Sequence, residues 1–420
     1  MPINGKIICL WGHIPMCKNR SFVTKRGAIL ALVMAFTCSI VFGQNHFSGF
    51  AGIAGNMGAD DDGKFQLTTD AFFAGQFDLL GVVLLRAEAT VRTSNLVSSD
   101  VFDTVPASFT LDELSITARF PCCHATRYLS VFAGEYESIG SDLFLRRHFG
   151  ILPIDSMITK TWAGRSDTSI YPFSTLGASY VLKLKTPQAF GFYFYTGKRN
   201  EQQRGNVDLR FAGIFPVVTV DFSVGVGFPI TAGGSEGEKS LSLNRRTEFH
   251  TGLSSIIGNP HTASLFLQFG ITKVILDPEE NEKALRLSDL YFLLEPRFKA
   301  DFMNFHFTLF NMPHQLTEDR FFITNPLGCN LAIFAENIYA SIFNLTFGAH
   351  LTISAQGATL ENFNDISTQD LSFRLTPFAE TPIGNGTLMT RFTMDFMKFT
   401  EIHKSMKFTL GYKARLCEDS

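Results

Sequence analysis

Residues Ser405 to Leu416 read SMKFTLGYKARL. Met406, Phe408, Leu410, Tyr412, Ala414 and Leu416 fall on one face of an extended chain, because successive side chains of a strand point to opposite sides. Ser405, Lys407, Thr409, Gly411, Lys413 and Arg415 fall on the other. The alternation has no error. One face suits an apolar medium and the other carries three cations. A water-soluble β-sandwich or β-solenoid has room for such a strand once. The pattern recurs along almost the whole chain, which favours an antiparallel up-and-down transmembrane β-barrel, all-β, with lipid outside and water inside.

Working back from that stretch, alternation marks strands over 47–57, 64–77, 82–93, 109–120, 127–136, 174–185, 189–196, 206–215, 217–229, 247–257, 262–276, 288–300, 303–310, 330–341, 344–354, 371–380 and 387–396. The most regular sets Val218, Val220, Phe222, Val224, Val226 and Phe228 against Thr219, Asp221, Ser223, Gly225 and Gly227. With 405–416 these are eighteen segments of roughly 9–14 residues, against the ~9–11 that cross a bilayer. A count of sixteen stays open. The connections alternate in kind. Odd ones are mostly long or polar (58–63, 95–107, 137–172, 197–205, 231–245, 277–287, 311–329, 355–370, 397–404), and even ones are mostly tight, as at Asp78–Gly81 and Gly384-Asn385-Gly386. A membrane barrel has short turns at one rim and long loops at the other; a soluble sandwich has no reason to obey that parity.

Composition agrees. There are 44 Phe and 2 Trp, so any aromatic girdle is built from Phe and Tyr. Charged residues are only 18%, as expected when half of each strand faces lipid. The net charge of −3 argues against a nucleic-acid partner. Cys122, Cys123, Cys329 and Cys417 form neither a disulfide framework nor a metal pattern.

At the N-terminus, Lys25 and Arg26 precede an apolar run from Ala28 to Phe36, which reads as a Sec signal peptide cleaved after Gly43. The expected division is pre-sequence and signal over 1–43 and one barrel over 44–420. Val23 is the expected start, because the residues before it show no periodicity. A lipoprotein signal using Cys38 is disfavoured by the poor lipobox Ala35-Phe36-Thr37.

Over residues 46–416 this layout resembles the bacterial outer-membrane porins of sixteen or eighteen strands. The resemblance is one of topology, with no sequence motif. The Phe-rich strands and the lack of a terminal aromatic residue are also similar to spirochaetal barrels; the ending Leu416-Cys417-Glu418-Asp419-Ser420 departs from the usual terminal-Phe assembly signal. The resemblance implies a third outer loop folded into the lumen. The third long connection, 137–172, contains SDLFLRRHFGILPID from Ser141. Ser141 is the expected N-cap of a short helix, Asp142 suits its first turn, and Gly150 and Pro153 end it. Leu143, Phe144 and His148 share a stripe. Arg146 and Arg147 are expected to meet solute at a pore constriction, with Glu137, Asp142 and Asp155 as their partners. A surface helix with solvated arginines is the plainer alternative.

The inferred lumen face holds Arg86, Arg92, Arg119, Lys183, Lys185, Arg210, Arg297, Lys299, Arg374, Arg391, Lys407, Lys413 and Arg415. Glu88, Glu113, Asp208, Asp221, Glu295, Glu380 and Asp395 oppose them. Cations prevail by roughly two to one, which favours anions. Cross-strand pairing that simply keeps the lumen wet is the plainer reading. No nucleophile–base set, zinc spacing or P-loop spacing is present, so neither an enzyme nor a metal or other cofactor is expected.

The function expected is passive passage of small hydrophilic, anion-biased solutes across a bacterial outer membrane. The partners expected are the lipid bilayer, the outer-membrane assembly machinery and the solutes. A homo-oligomer and a host ligand stay open. So do two other functions: a closed barrel presenting loops to a host or partner, and a fatty-acid-type transporter. The missing N-terminal plug counts against the last.

Overall fold

A strand puts an apolar side into lipid only where neighbouring strands satisfy its backbone N–H and C=O groups, and this requires a closed ring. The computed structural model describes residues 46–416 except 60–62, 98–106, 123, 139, 151–154, 161, 163–174, 200–201, 234–237, 242–246, 279–281, 313–322, 324, 341–342, 356, 359, 361–370 and 402–404. The expected signal peptide over 1–43, Pro153 and Cys417 lie outside the described residues.

The strands are β1 (His46–Ala59), β2 (Phe65–Leu79), β3 (Val83–Thr93), β4 (Ala107–Pro121) and β5 (Ala125–Gly134). After the helix α1 (Leu143–Phe149) come β6 (Thr175–Leu184), β7 (Gln188–Arg199), β8 (Gln202–Ile214) and β9 (Val218–Gly233). Then follow β10 (Glu238–Leu241), β11 (Glu248–Asn259), β12 (Ala263–Ile275), β13 (Leu290–Ala300) and β14 (Met303–Asn311). The last are β15 (Leu327–Ala340), β16 (Phe343–Ala355), β17 (Leu371–Ile383), β18 (Gly386–Asp395) and β19 (Lys407–Arg415). Each pairs antiparallel with its neighbours, and β1 meets β19 with Ile53 opposite Tyr412, which closes the ring. Among the described residues the short β10 pairs only with the end of β9, while β11 pairs with the body of β9. The closed barrel therefore has eighteen strands.

The two faces differ as the alternation requires. Phe109, Val131, Leu176, Phe194, Leu209 and Phe298 stand exposed on the outside. Inside, Glu88, Glu113, Ser130, Asp221 and Glu295 are buried. Large apolar side chains exposed on strands around the ring form a surface suited to hydrocarbon.

Three differences from the sequence expectation have physical causes. The polar stretch 197–205 is mostly strand, because Gly197 pairs with Arg204 and Lys198 with Gln203, carrying the ladder beyond the apolar belt. Similarly, 231–245 is not all loop: β9 runs to Gly233 and folds back as β10. In β4 the register shifts opposite Glu88 and Ala89, so Phe109 and Leu111 point outward before the bulge and Leu114 and Ile116 after it.

Candidate functional site in a narrowed lumen

The third long connection turns into the barrel. Gly134 ends β5 at φ 92°, and Glu137 follows at φ 44°. α1 starts later than expected. Asp142, not Ser141, is its N-cap, with Arg146 N–H bonding to Asp142 O at 3.0 Å and no side-chain cap. The Ser141 hydroxyl instead donates to Ser138 O at 2.8 Å. Gly150, left-handed at φ 66°, caps the other end.

The connection is fastened to the wall at several points. Glu137 receives the Tyr193 hydroxyl at 2.5 Å, and His148 Nε2 lies 3.0 Å from it. Arg210 donates to Glu137 O, pairs with Asp221 at 2.7 Å, and stacks over Phe144 at 4.8 Å. Arg147 pairs with Glu113 and lies 4.6 Å over the Tyr136 ring. Gln268 donates to Gly140 O at 2.9 Å. Further on, Glu295 receives Ser156 Oγ at 2.5 Å and Met157 N–H at 3.0 Å, and Arg297 donates to Asp155 O at 2.7 Å. Trp162 then packs edge-on against Phe72 at 5.7 Å, and its carbonyl receives Lys413 at 2.7 Å. Gly411 makes room for that indole, which a Cβ would strike at 2.7 Å.

Apolar contacts reinforce these bonds. Phe144 and Leu145 join Tyr128, Phe132, Tyr193 and Tyr195, and Ile158 joins Phe266, Tyr291, Leu293 and Phe310. Both clusters sit on inward-facing positions, where apolar side chains need a cover.

The charges follow from burial and partners. Burial raises the Glu137 carboxyl, but His148, Arg147 and Tyr193 outweigh it and hold the group at about 2. Tyr136 is pushed up to about 12 by burial and by Glu137. Burial opposes the charge of Arg147, yet Glu113 and Glu137 leave it more firmly protonated than usual. Asp155 is raised to about 7 by burial and by Asp142. Asp142 is also raised, burial being the main cause; its nearest cation among the described residues is Arg146, at 3.7 Å.

The expected constriction residues thus divide. Arg147, Glu137 and Asp155 lie at wall anchors. Arg146 remains about one-third exposed beside Asp142. Arg146 lines a cavity of about 280 Å³ together with the anchored Arg147, Glu137 and His148 and the wall residues Gln76 and Arg86. Among the expected lumen cations, Arg86 pairs with Glu88 (2.8 Å), Arg297 with Glu295 (2.8 Å) and Arg374 with Asp395 (3.4 Å). Lys183 sits 5.4 Å over Phe149. Arg119, Lys185, Lys299, Lys407 and Arg415 are exposed. Arg391 and Lys413 are half-buried.

Sequence reasoning did not single out Trp162, Tyr193, Ser156 or the cross-strand pair Glu88 and Glu113 as site residues. The last had a signal: two carboxylates directly opposite each other require cations, and Arg86 and Arg147 provide them.

No known sequence family and no curated protein matches this chain. Among solved structures, a mutant of Rhodopseudomonas blastica porin has 9% identity and a TM-score of 0.43 over 89% of this chain and 100% of that one. Wzi, an Escherichia coli outer-membrane carbohydrate-binding β-barrel involved in group 1 capsule assembly, has 10% identity and a TM-score of 0.44 over 94% and 89%. These likenesses are too distant to carry an argument; the barrel reading rests on its own register.

Proposed function

We propose that this chain is a bacterial outer-membrane channel through which small hydrophilic solutes diffuse, with the connection 135–174 setting the size limit. One observation carries the reading. The inward segment is fastened to the wall at Glu113, Glu295 and Lys413, while Arg92, Lys407 and Lys160 stay exposed and Arg146 is about one-third exposed beside a cavity of about 280 Å³. A narrowed but wet interior suits passive passage. The outward apolar strands support the membrane setting, and the expected Sec signal supports export.

The test is single-channel recording from refolded residues 44–420 in a planar bilayer. Stable open steps are expected. A folded, heat-modifiable barrel that never conducts overturns the channel reading and favours a closed barrel that presents its loops.

A further inference from the structure

Helix α1 does not fill all the space against the wall. A cavity of about 280 Å³ stays between it and strands β2 to β5. Sites for drug-sized ligands run to roughly 300–1,000 Å³, so this one suits a smaller solute. The charged groups that line it, and the carboxylates beside them, are mutually paired. Arg86 bonds to Glu88 at 2.8 Å and lies 3.6 Å from Glu113. Arg147 pairs with Glu113 and lies 3.6 Å from Glu137, which also holds His148 at 3.0 Å. Arg146 stands 3.7 Å from Asp142. Three arginines thus face four carboxylates, and each carboxylate has a cation beside it. Such a balanced set offers a free ion of either sign little net attraction, while the ion still loses its hydration shell on entry.

What stays open is hydrogen bonding. The Tyr128 hydroxyl and the Gln76 amide line the cavity and make no hydrogen bond among the described residues. Arg146, about one-third exposed, has more N–H donors than its contact with Asp142 uses. The hydroxyl and the amide can each donate and accept, and the guanidinium donates. Leu84, Leu143 and the Tyr128 ring give the cavity apolar sides.

We infer that this cavity is a binding site for a neutral, hydroxyl-rich solute of monosaccharide size. The inference names a solute class for the proposed channel and rests on that reading, but the binding itself is measured without conduction. A pyranose presents the mixture that the cavity lacks: hydroxyls that donate and accept around its edge, and C–H groups on its faces. Apolar sides with a few placed polar groups are what fix the orientation of a small ligand. An ammonium group finds no carboxylate here without a cation beside it, and a ligand carboxylate would join four already present.

The experiment is saturation-transfer NMR on refolded residues 44–420 in detergent micelles at about pH 6, where glucuronate is anionic and glucosamine cationic. Glucose is the probe, and those two sugars are its charged counterparts. Glucose should saturate in the millimolar range, as suits so small a ligand. Glucuronate and glucosamine should bind about fivefold more weakly or worse. Tyr128→Phe and Gln76→Leu each remove one hydrogen bond and should weaken glucose binding about fivefold. Tyr339→Phe, the same change at an exposed position outside the cavity, should leave it unaltered. Heat-modifiability checks that each variant is folded. No saturable transfer to glucose, equal or tighter binding of either charged sugar, or a glucose titration unmoved in both variants overturns the site. Planar-bilayer recording from the same preparation separates the two readings. Open steps without saturable glucose transfer overturn the site and leave the channel standing. Saturable transfer in a barrel without open steps supports the site and overturns the channel.

Discussion

The two sides of this barrel follow the same outward rule and opposite inward ones. On β4 to β14 the inner face is aromatic and ion-paired, because the connection after β5 covers it. On β17 to β19 and β1 to β3 neither of these clusters reaches the inner face among the described residues, and Trp162 on Phe72 is the contact there; exposed cations stand on both sides, Arg119, Lys185 and Lys299 as well as Arg92, Lys407 and Arg415. Arg147 and Arg146 line the same cavity in different ways: one is locked to Glu113 and 14% exposed, the other lies 3.7 Å from Asp142 and is 35% exposed. Lipid dictates the outside of every strand, whereas the inside is dictated by whatever fills the lumen there.

The sharpest way to break the comparison is to unfasten the covered side. Glu295→Ala removes the acceptor for Ser156, Met157, Thr308 and Arg297 at once. Stranding a buried cation costs about 3–5 kcal/mol. We expect that loss in urea unfolding, together with a several-fold rise in single-channel conductance; unchanged conductance would show that the connection does not narrow the path. Arg147→Gln should cost about 3 kcal/mol by leaving Glu113 opposite Glu88 with one cation fewer. Its conductance should rise less than that of Glu295→Ala, because Arg147 is one anchor among several; an equal rise would make it the main fastening of the connection.

Acidity offers a gentler probe. Asp155 keeps its proton up to about 7 in the seated connection, well above the usual carboxylate range. Between roughly pH 4 and 7 the seated form binds a proton that the released form does not, so seating weakens as pH rises through about 7. Glu137, held at about 2, works in the opposite sense: its contribution is present above the usual carboxylate range and is lost as pH falls toward 2. Current fluctuations should therefore be quietest near pH 4, grow between about 4 and 7, and level off above 7. Asp155→Asn should flatten the rise; an unaltered profile assigns it to another group. The smallest effect is a labelling contrast. In a cysteine-free background, Arg146→Cys should react with a small hydrophilic thiol reagent several-fold faster than Arg147→Cys, as their exposures of 35% and 14% imply. Equal rates would mean that the helix does not present two different faces.

The outer face was readable residue by residue, since period-two alternation follows directly from strand geometry. So was the closed ring, through the parity of turns. The count of eighteen strands was legible as well, whereas the strand ends were not, because alternation cannot tell a polar loop from a polar extension of the ladder such as 197–205. The helix was legible from Gly150, but its start was not: Ser141 and Asp142 are both good caps, and only the contact with Ser138 separates them. The covered wall left a trace that the periodic reading passed over. Leu290–Leu294, LYFLL, is apolar on both faces, and a strand with lipid on one side and water on the other has no use for that. Tyr291 and Leu293 point inward because Ile158 lies on them. The anchors joining Ser156 to Glu295 are 139 residues apart, beyond any local pattern.

Trp162 rests where β19, β1 and β2 run side by side, touching Gly411 and Phe72. That place is the seam between the two ends of the sheet, and it does not exist until the last strand has met the first. In time, then, the order is fixed: the indole has no seat until the seam is zipped. It is also the one tryptophan of residues 44–420, so the chain carries its own fluorescent indicator of completed closure.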